Sequence, residues 1–595
     1  MLLDVIVPGP WWNAFTYNFN NNNLKSGSRV RIPFGNGGRV GFICGVNSSQ
    51  QNNFEIKDII EPIDADNILQ FGLWELALWL GRTYLCGAGM ALKTMLPSQI
   101  LTGEKFNFNL NINNLNKNFY EKNFFDSREY SRLDFYIEML RRPVKNLILF
   151  PENNSANKFF KNLPSDLKDL SILWPSVGGK KLWDAWREIY SGNFKNVIAP
   201  PGGVFAPFDF DCVIVEDEAS EGYLSRRTPV FSARSIAGKR ALDLKAELIL
   251  GGSVPSAKTF LRGNINYKNN KNLDLIFVDI NRSLKVEERG IEGVLPVTVS
   301  MLERTRSELR AGHNVLWLLD RKGGAAEVFC LNCGKAVKCS KCGSIMRSEH
   351  DGKFLRCPHC NNVQEMFNKC PECGGEILSG KRPGLEVLFN AANRLIKDYK
   401  IIIHDVNKKF NLKDFAQPYL ILGTRGALSL CSELDISLIA WLDLDAELRR
   451  SDYNARWRVF SMIWQSCRRG LSQEQTRKVL IQTRRENLKF SLNNLNWEKF
   501  WRSELETRRD LDLPPFNLLI KLNCANKLKR ESLISKLDET GIIAMDLSDD
   551  LNINNGTLLI SAPSVKNIYK ILEPYFDLFN HKDYNSIKNI VIYAE

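Results

Sequence analysis

Eight of the fourteen cysteines fall in one stretch as four Cys-x-x-Cys pairs: Cys330/Cys333, Cys339/Cys342, Cys357/Cys360 and Cys370/Cys373. The pairs are separated by five, fourteen and nine residues. Each pair can put two thiolates on one metal ion, and Gly334, Gly343 and Gly374 ease the turn in three of the knuckles. Four pairs make two complete Cys₄ tetrahedra, the donor set of structural zinc, with no open position for catalysis. The thiolates saturate both ions, so His359 reads as a loop residue. Disulfides and an iron–sulfur cluster are the competing readings. The other six cysteines are scattered singly, which fits a reducing compartment and argues against disulfides. Symmetric pairs argue against a cluster. Pairing is less constrained by spacing: joining the first two pairs needs a tight five-residue bridge. A nested arrangement puts Cys330, Cys333, Cys370 and Cys373 on one ion and Cys339, Cys342, Cys357 and Cys360 on the other.

The elements that must carry these knuckles belong to a long chain. Its 595 residues predict three to five folded units. A net charge of +13 favours a polyanionic partner, nucleic acid or an anionic membrane, against the plainer reading of a generally basic enzyme. No apolar run is long enough to span a bilayer, and the first residues lack a secretory pattern, so the expectation is a cytoplasmic protein without a membrane partner.

Near the start, Arg29 to Ile32 alternates charged and β-branched residues, predicting one wet and one buried face. Pro33 to Gly38 predicts a turn, Val40 to Val46 the returning strand, and Trp74 to Leu85 a helix. From Phe135 to Gly252, short apolar strands (Leu147–Phe150, Val197–Ala199, Val213–Val215, Leu248–Leu250) alternate with helical patterns such as Lys181–Tyr190. That order predicts a parallel sheet covered on both faces. The pattern resumes at Asn314–Leu319, Lys400–His404, Tyr419–Gly423, Ile436–Leu442 and Lys478–Gln482, interrupted by the cysteine-rich insert. A last unit has strand-like Leu518–Leu522 and Thr557–Ser561. Asn-rich runs at 18–23 and 107–118 read as loop or linker.

These cysteine spacings, set in a two-lobed α/β chain, resemble the bacterial PriA family of replication restart proteins. So do Pro8 to Tyr17 and Gly27 to Gly35 at the start, Asp320-Arg321-Lys322-Gly323 before the cysteines, and Arg508-Arg509 with Pro514-Pro515-Phe516. The resemblance implies an α/β chain with two RecA-like helicase lobes of superfamily-2 type, a zinc-binding insert, a small β-rich N-terminal DNA-binding domain and a C-terminal α+β domain. The expected domains are 1–100 (3′-DNA-end binding), 101–125 (Asn-rich linker, with the family's winged helix absent or vestigial), 126–265 (lobe 1), 266–327 with 381–496 (lobe 2), 328–380 (two-zinc insert) and 497–595 (C-terminal).

The helicase motifs depart from the family. A motor needs a Gly-rich loop cradling phosphates, a Lys and a Mg²⁺-binding hydroxyl. The positions before Asp134-Phe135-Tyr136 read Glu129-Tyr130-Ser131-Arg132-Leu133, with no glycine and no Lys-Thr. Gly375 to Lys381 matches the loop pattern by chance, since Arg382 follows and no strand-to-helix context surrounds it. The acidic motif is Glu216-Asp217-Glu218-Ala219, without its His. Gly251 to Ser256 is altered. The arginine-finger segment Gln465 to Ser472 keeps Arg469 and has Ser472 for its second Arg. Four altered motifs predict a helicase fold that no longer hydrolyses ATP, its degenerate nucleotide site marked by Arg132, Glu216, Asp217, Glu218 and Arg469.

By the same resemblance, Phe15, Thr16, Tyr17, Gly35 and Lys57 lie near a pocket for a terminal base and 3′ hydroxyl, Thr16 replacing the family's Asp. Aromatics stack bases, Gly admits backbone and Lys meets phosphate. The alternative is that Phe15 and Tyr17 are core, and Trp11 and Trp12 are open to either role. Arg226/Arg227, Arg449/Arg450, Arg468/Arg469 and Arg484/Arg485 are candidate phosphate contacts. The expected function is a monomeric replication restart factor that binds abandoned forks and single strands. It would promote primosome assembly with other primosome proteins and with the replicative helicase or its loader. The expected rivals are an active ATP-dependent 3′→5′ helicase with a divergent nucleotide site and a zinc-ribbon RNA-binding protein.

Overall fold

Four-residue apolar runs without alternation become strands covered on both faces, and two such sheets dominate the computed structural model. It describes residues 1–20, 24–47, 56–64, 66–105, 118–225, 227–263, 265–268, 273–284, 286, 297–319, 326–330, 336–341, 343, 345–348, 353–357, 360, 362–375, 377–378, 385–404, 418–448, 452–471, 475–485, 495–524, 527–547, 556–577 and 587–594.

The N-terminal sheet comprises β1 (Leu2–Ile6), β2 (Phe15–Asn18), β3 (Arg29–Phe34), β4 (Gly37–Val46) and β5 (Glu61–Pro62). It is antiparallel, in the order β2-β1-β4-β3-β5. Helices α1 (Leu73–Thr83), α2 (Gly87–Met95) and α3 (Ser98–Thr102) follow. The expected wet face of β3 is half right. Arg29 is fully buried: its guanidinium holds the Asp64 carboxylate at 2.6 Å and the carbonyls of Ile100 and Glu104 at 2.9 Å. A buried cation requires such partners, and here they tie the sheet to α3.

Lobe 1 is a seven-stranded, wholly parallel sheet: β6 (Tyr120–Asp126), β7 (Asn146–Leu149), β8 (Ser171–Leu173), β9 (Asn196–Ala199), β10 (Cys212–Val215), β11 (Glu247–Gly252) and β12 (Tyr267–Lys268). Their order is β12-β6-β11-β10-β7-β9-β8. Lobe 2 is six-stranded and parallel: β13 (Asp274–Asp279), β14 (Asn314–Leu318), β21 (Lys400–Ile403), β22 (Tyr419–Gly423), β23 (Ile436–Trp441) and β24 (Lys478–Thr483), ordered β13-β24-β23-β14-β22-β21. The short strands β15 to β20, from Ala326 to Leu378, build the insert between β14 and β21. The C-terminal sheet is antiparallel, β26 (Ile543–Asp546), β27 (Gly556–Ala562), β25 (Leu518–Cys524) and β28 (Ile587–Tyr593) in that order. These are two RecA-like lobes with a small β-rich domain before them and an α+β domain after them.

Three expected boundaries move. Residues 101–125 are not only linker: β6 starts at Tyr120 and pairs along its length with β11. The sequence hid it because β12 covers only Phe125 and Asp126, leaving Tyr120, Glu121 and Lys122 wet on that edge. Lobe 1 also reaches past residue 265, through β12. The helix Trp497–Asp510, expected in the C-terminal domain, buries Trp497, Trp501 and Leu505 in the core of lobe 2. Segments 107–117, 320–323 and 21–23 lie outside the described residues, as do Arg226, Arg449, Arg450, His359 and Ser472.

Candidate functional site

The insert brings the predicted thiols together in two groups. Cys330, Cys370 and Cys373 form one, Cys339, Cys357 and Cys360 the other, with all sulfurs of a group within 4.8 Å of each other. Cys333 and Cys342 lie outside the described residues. The grouping follows the nested arrangement. Cys330 Sγ and Cys373 Sγ are 3.6 Å apart, as are Cys339 Sγ and Cys360 Sγ. That is far beyond a disulfide bond of ~2.05 Å. It is close to the ~3.8 Å edge of a tetrahedron with 2.3 Å zinc–sulfur bonds. The Asn362 amide donates to Cys339 Sγ at 3.5 Å, as an outer partner of a thiolate should. Gly343 and Gly374 take φ of 70° and 71° where the knuckles turn. The donor set therefore fits a soft divalent ion at each group. Cys339, Cys357 and Cys360 share an apolar cluster with Val328, Val337, Met346 and Leu355, which also takes in Leu547 of the C-terminal domain.

Between the lobes, at the C-terminal ends of the lobe 1 strands, lies a cavity of about 300 Å³. It holds Arg132, Glu216, Asp217 and Arg469 of the predicted nucleotide site. Strand β6 ends at Asp126 and helix α4 (Glu129–Arg141) begins three residues on. The buried Asp126 carboxylate closes this turn, accepting from the backbone N–H of Arg128 at 2.9 Å and from Ser131 Oγ at 2.8 Å. Inside, Arg132 grips Glu216, Nη2 to Oε1 at 2.7 Å and Nε to Oε1 at 3.0 Å. Arg132 also donates to the Asp126 carbonyl at 2.6 Å, and Tyr136 Oη donates to Glu216 Oε2 at 2.5 Å. The paired carboxylate holds Arg132 firmly protonated, while burial pushes the Tyr136 hydroxyl well above its ordinary range. Burial, then the Glu216 charge, pushes Asp217 up to about 7. Glu218 is used structurally: it pairs with Arg234 and accepts from the Ser256 amide at 2.7 Å. Arg132 and Arg469 are thus each held by a carboxylate, and only two residues separate β6 from α4.

Sequence reasoning missed Glu129 and Glu152, which face lobe 2 from this cavity. Glu129 accepts from Ser432 Oγ at 3.2 Å and from the Gly470 amide at 3.1 Å, and Arg469 holds Glu152 at 3.0 Å. An acidic residue at the first position of α4, where a helix N-terminus favours negative charge, was the available signal.

In the N-terminal sheet, Phe15 and Tyr17 are buried, at 8% and 6% exposure, and Tyr17 Oη donates to the Pro33 carbonyl. Trp11 and Phe34 pack on Phe15. The core reading therefore describes both rings as they stand. Thr16 points to the other face, donating to Asp4 Oδ1 at 2.8 Å, so a carboxylate stands beside the threonine from the neighbouring strand. Gly35 is exposed at φ 59° with open space around it. Lys57 is exposed, and its carbonyl accepts from the Asn18 amide, bringing it alongside β2.

Residues 4–97 match the family model of the PriA 3′DNA-binding domain. The chain is 20% identical to the replication restart protein PriA of Bacillus subtilis over 465 residues, 74% of this chain and 56% of that protein. It is 24% identical to the PriA of Rickettsia conorii over 538 residues, 83% of this chain and 82% of that one. Against the first relatives the match thus spans little more than half their length. Among solved structures it overlaps the Escherichia coli DExH-box NTPase HrpB, with a TM-score of 0.34 and 11% identity, covering 62% of this chain and 40% of that one. An N-terminal sheet matched to the 3′DNA-binding domain, two parallel-sheet lobes and two nested thiol groups meet in one chain, and that chain is similar over most of its length to the replication restart proteins PriA.

Proposed function

We propose that this protein is a replication restart factor that binds abandoned forks and acts as a platform, without hydrolysing ATP. The observation that carries the second half is the Arg132–Glu216 pair, which fills the place of the phosphate-binding lysine and its magnesium partner with a self-satisfied ion pair. Phosphoryl transfer depends almost wholly on positioned donors and metal, and in this cleft Arg132 and Glu216 are turned on each other instead. The first half is supported by the match of residues 4–97, by the exposed Gly35 and Lys57, and by the net charge of +13. On this reading the two thiol groups each hold zinc, which staples the insert and takes no part in chemistry. The protein engages a nascent 3′ end in the cytoplasm as a monomer. It then presents a surface to other primosome proteins and to the replicative helicase or its loader.

The test combines two assays on one preparation. Binding is compared on a fork ending in a 3′ hydroxyl and on the same fork ending in a 3′ phosphate, across a salt series. Tighter binding to the hydroxyl end is expected, by about 1 kcal/mol, the scale of one neutral hydrogen bond. Lys57→Ala should weaken both forks and lower the salt slope by roughly one, as loss of one phosphate contact does. Fork-stimulated ATP hydrolysis that disappears on mutating Glu216 or Asp217 would restore the motor reading. Equal binding to both ends would remove the 3′-end role.

A further inference from the structure

In a two-lobed motor, nucleotide is the bridge that draws the lobes together, through lobe 1 phosphate ligands and a lobe 2 arginine. In this chain Arg132 is taken up by Glu216 within lobe 1, and the lobe 2 arginine, Arg469, already holds a protein partner across the cleft. From lobe 1, Glu129 stands at the first position of α4, a place that favours negative charge. Its carboxylate accepts from two lobe 2 donors, Ser432 Oγ and the Gly470 amide. Glu152, just after β7, takes Arg469 in a two-point contact at 3.0 and 3.4 Å. Arg469 in turn donates to Ser432 Oγ at 3.2 Å. Lys158 reaches across to the Ser432 carbonyl. Farther along the interface Arg458 holds Glu221 at 3.0 Å.

Gly470 is fixed in this role. It sits at φ 73°, and a Cβ there would come within 1.8 Å of the Cys431 carbonyl. Its amide is therefore delivered to Glu129 by a backbone that only glycine permits. The seam is apolar as well as charged. Val254 and Ala257, on the lobe 1 loop and helix after β11, are buried in the lobe 2 cluster, and Trp501 Nε1 donates to the Pro255 carbonyl at 2.9 Å.

We propose that the cleft is clamped shut by the protein's own side chains, the Glu129 carboxylate standing where a phosphate would stand, so that the two lobes form one fixed platform in the absence of nucleotide. This rests on the non-hydrolysing reading and adds to it. A dead nucleotide site alone leaves the lobes free to hinge; a clamp removes the hinge and with it any nucleotide control over DNA binding. Charge-assisted bonds donated from lobe 2 into lobe 1 carboxylates are the strong class, and they are linked because Arg469 holds Glu152 and also donates to Ser432, which donates to Glu129.

The experiment places a fluorophore pair on non-canonical residues at Lys168 in lobe 1 and Lys397 in lobe 2, both exposed, and reads single-molecule transfer efficiency. One narrow, closed population is expected without nucleotide, unchanged by millimolar Mg·ATP. Arg469→Glu should cause loss of that population, and adding Glu152→Arg should restore it. Should Arg469→Glu fail to fold, Glu129→Gln serves, with a smaller shift in the same direction. A broad or open distribution in the unaltered protein would overturn the clamp. So would closure that needs nucleotide, or closure indifferent to Arg469→Glu and Glu129→Gln. ATP hydrolysis is measured on the same samples. Turnover would sink the non-hydrolysing reading itself, whereas mobile lobes without turnover would sink only the clamp.

Discussion

The Trp12 indole lies flat on the Phe576 ring, centroids 4.4 Å apart and planes 2° from parallel. Tyr569 stacks on the same indole at 4.8 Å. Trp12 comes from the segment between β1 and β2, yet its buried neighbours are Ile520, Leu572 and the rest of the C-terminal core. The first and last domains are thus locked together through Trp12, with Leu85 of the first domain buried in the same cluster. Trp12 is therefore neither a free stacking platform for DNA nor part of its own domain's core.

Trp12→Ala should cost about 3–5 kcal/mol, the range for removing a large buried aromatic. The loss should appear as faster hydrogen exchange in the helix Lys566–Leu572 and in the segment around Trp12. The core of the N-terminal sheet, built on Leu3, Val5, Val30 and Ile32, should stay protected. Equal deprotection of that core would show that the two domains share one cooperative unit.

Arg132 and Glu216 give a second prediction, because both are almost wholly buried. Arg132→Ala leaves the Glu216 carboxylate facing Tyr136 alone and should cost about 3–5 kcal/mol in a denaturant titration. The double change Arg132→Met with Glu216→Leu removes both charges and should recover most of that loss. If the double variant is as unstable as the single, the pair matters for its shape and its hydrogen bonds, not for its charge balance.

The lobes were legible in the sequence because parallel strands covered on both faces need unbroken apolar runs. Leu147–Phe150, Val213–Val215 and Tyr419–Gly423 could hardly be anything else. Strand β6 was not, because half its length is wet and reads Tyr-Glu-Lys-Asn. The thiols were legible as pairs, since Cys-x-x-Cys fixes its own chemistry, while their nesting depended on where the insert strands put them. That Glu129 to Leu133 hold no glycine and no Lys-Thr was visible in the sequence. The contacts across the cleft were not: Glu129, Glu152, Ser432 and Gly470 lie in four separate segments, and only tertiary structure brings them to one cleft. Phe15 and Tyr17 show the converse limit, since alternation says that they share a face and nothing in it says whether that face is dry.

The thiol groups predict metal content and a local response to its removal. Elemental analysis should find two zinc ions per chain, one for each group. Chelation should deprotect the insert and its contact with Leu547, leaving the lobe cores unaffected, since those clusters contain none of the eight thiols. Asn362→Ala removes the amide that donates to Cys339 Sγ and should weaken retention at that group by roughly tenfold or more. The other group should release its metal at the unaltered rate. Stoichiometric iron, or a single zinc, would overturn the assignment.

Asp217 predicts a pH dependence whose sign can be worked out. Its backbone is held at φ 50°, and burial beside Glu216 raises its carboxyl from 3.8 to about 7. Between those values the folded chain keeps a proton that the unfolded chain has released. The folded state then binds more protons, so this group makes stability fall as pH rises from about 4 to about 7 and adds no further slope above that. Asp217→Asn keeps the neutral form at every pH, and Asn tolerates the left-handed backbone nearly as well as Asp does. Its stability should therefore match the parent near pH 4.5 and exceed it at pH 8, by on the order of 1–2 kcal/mol once solvent screening is allowed for. The reverse order, with the variant weaker at pH 8, would mean that the folded protein favours the Asp217 carboxylate over its neutral form, through Arg132 and Arg469.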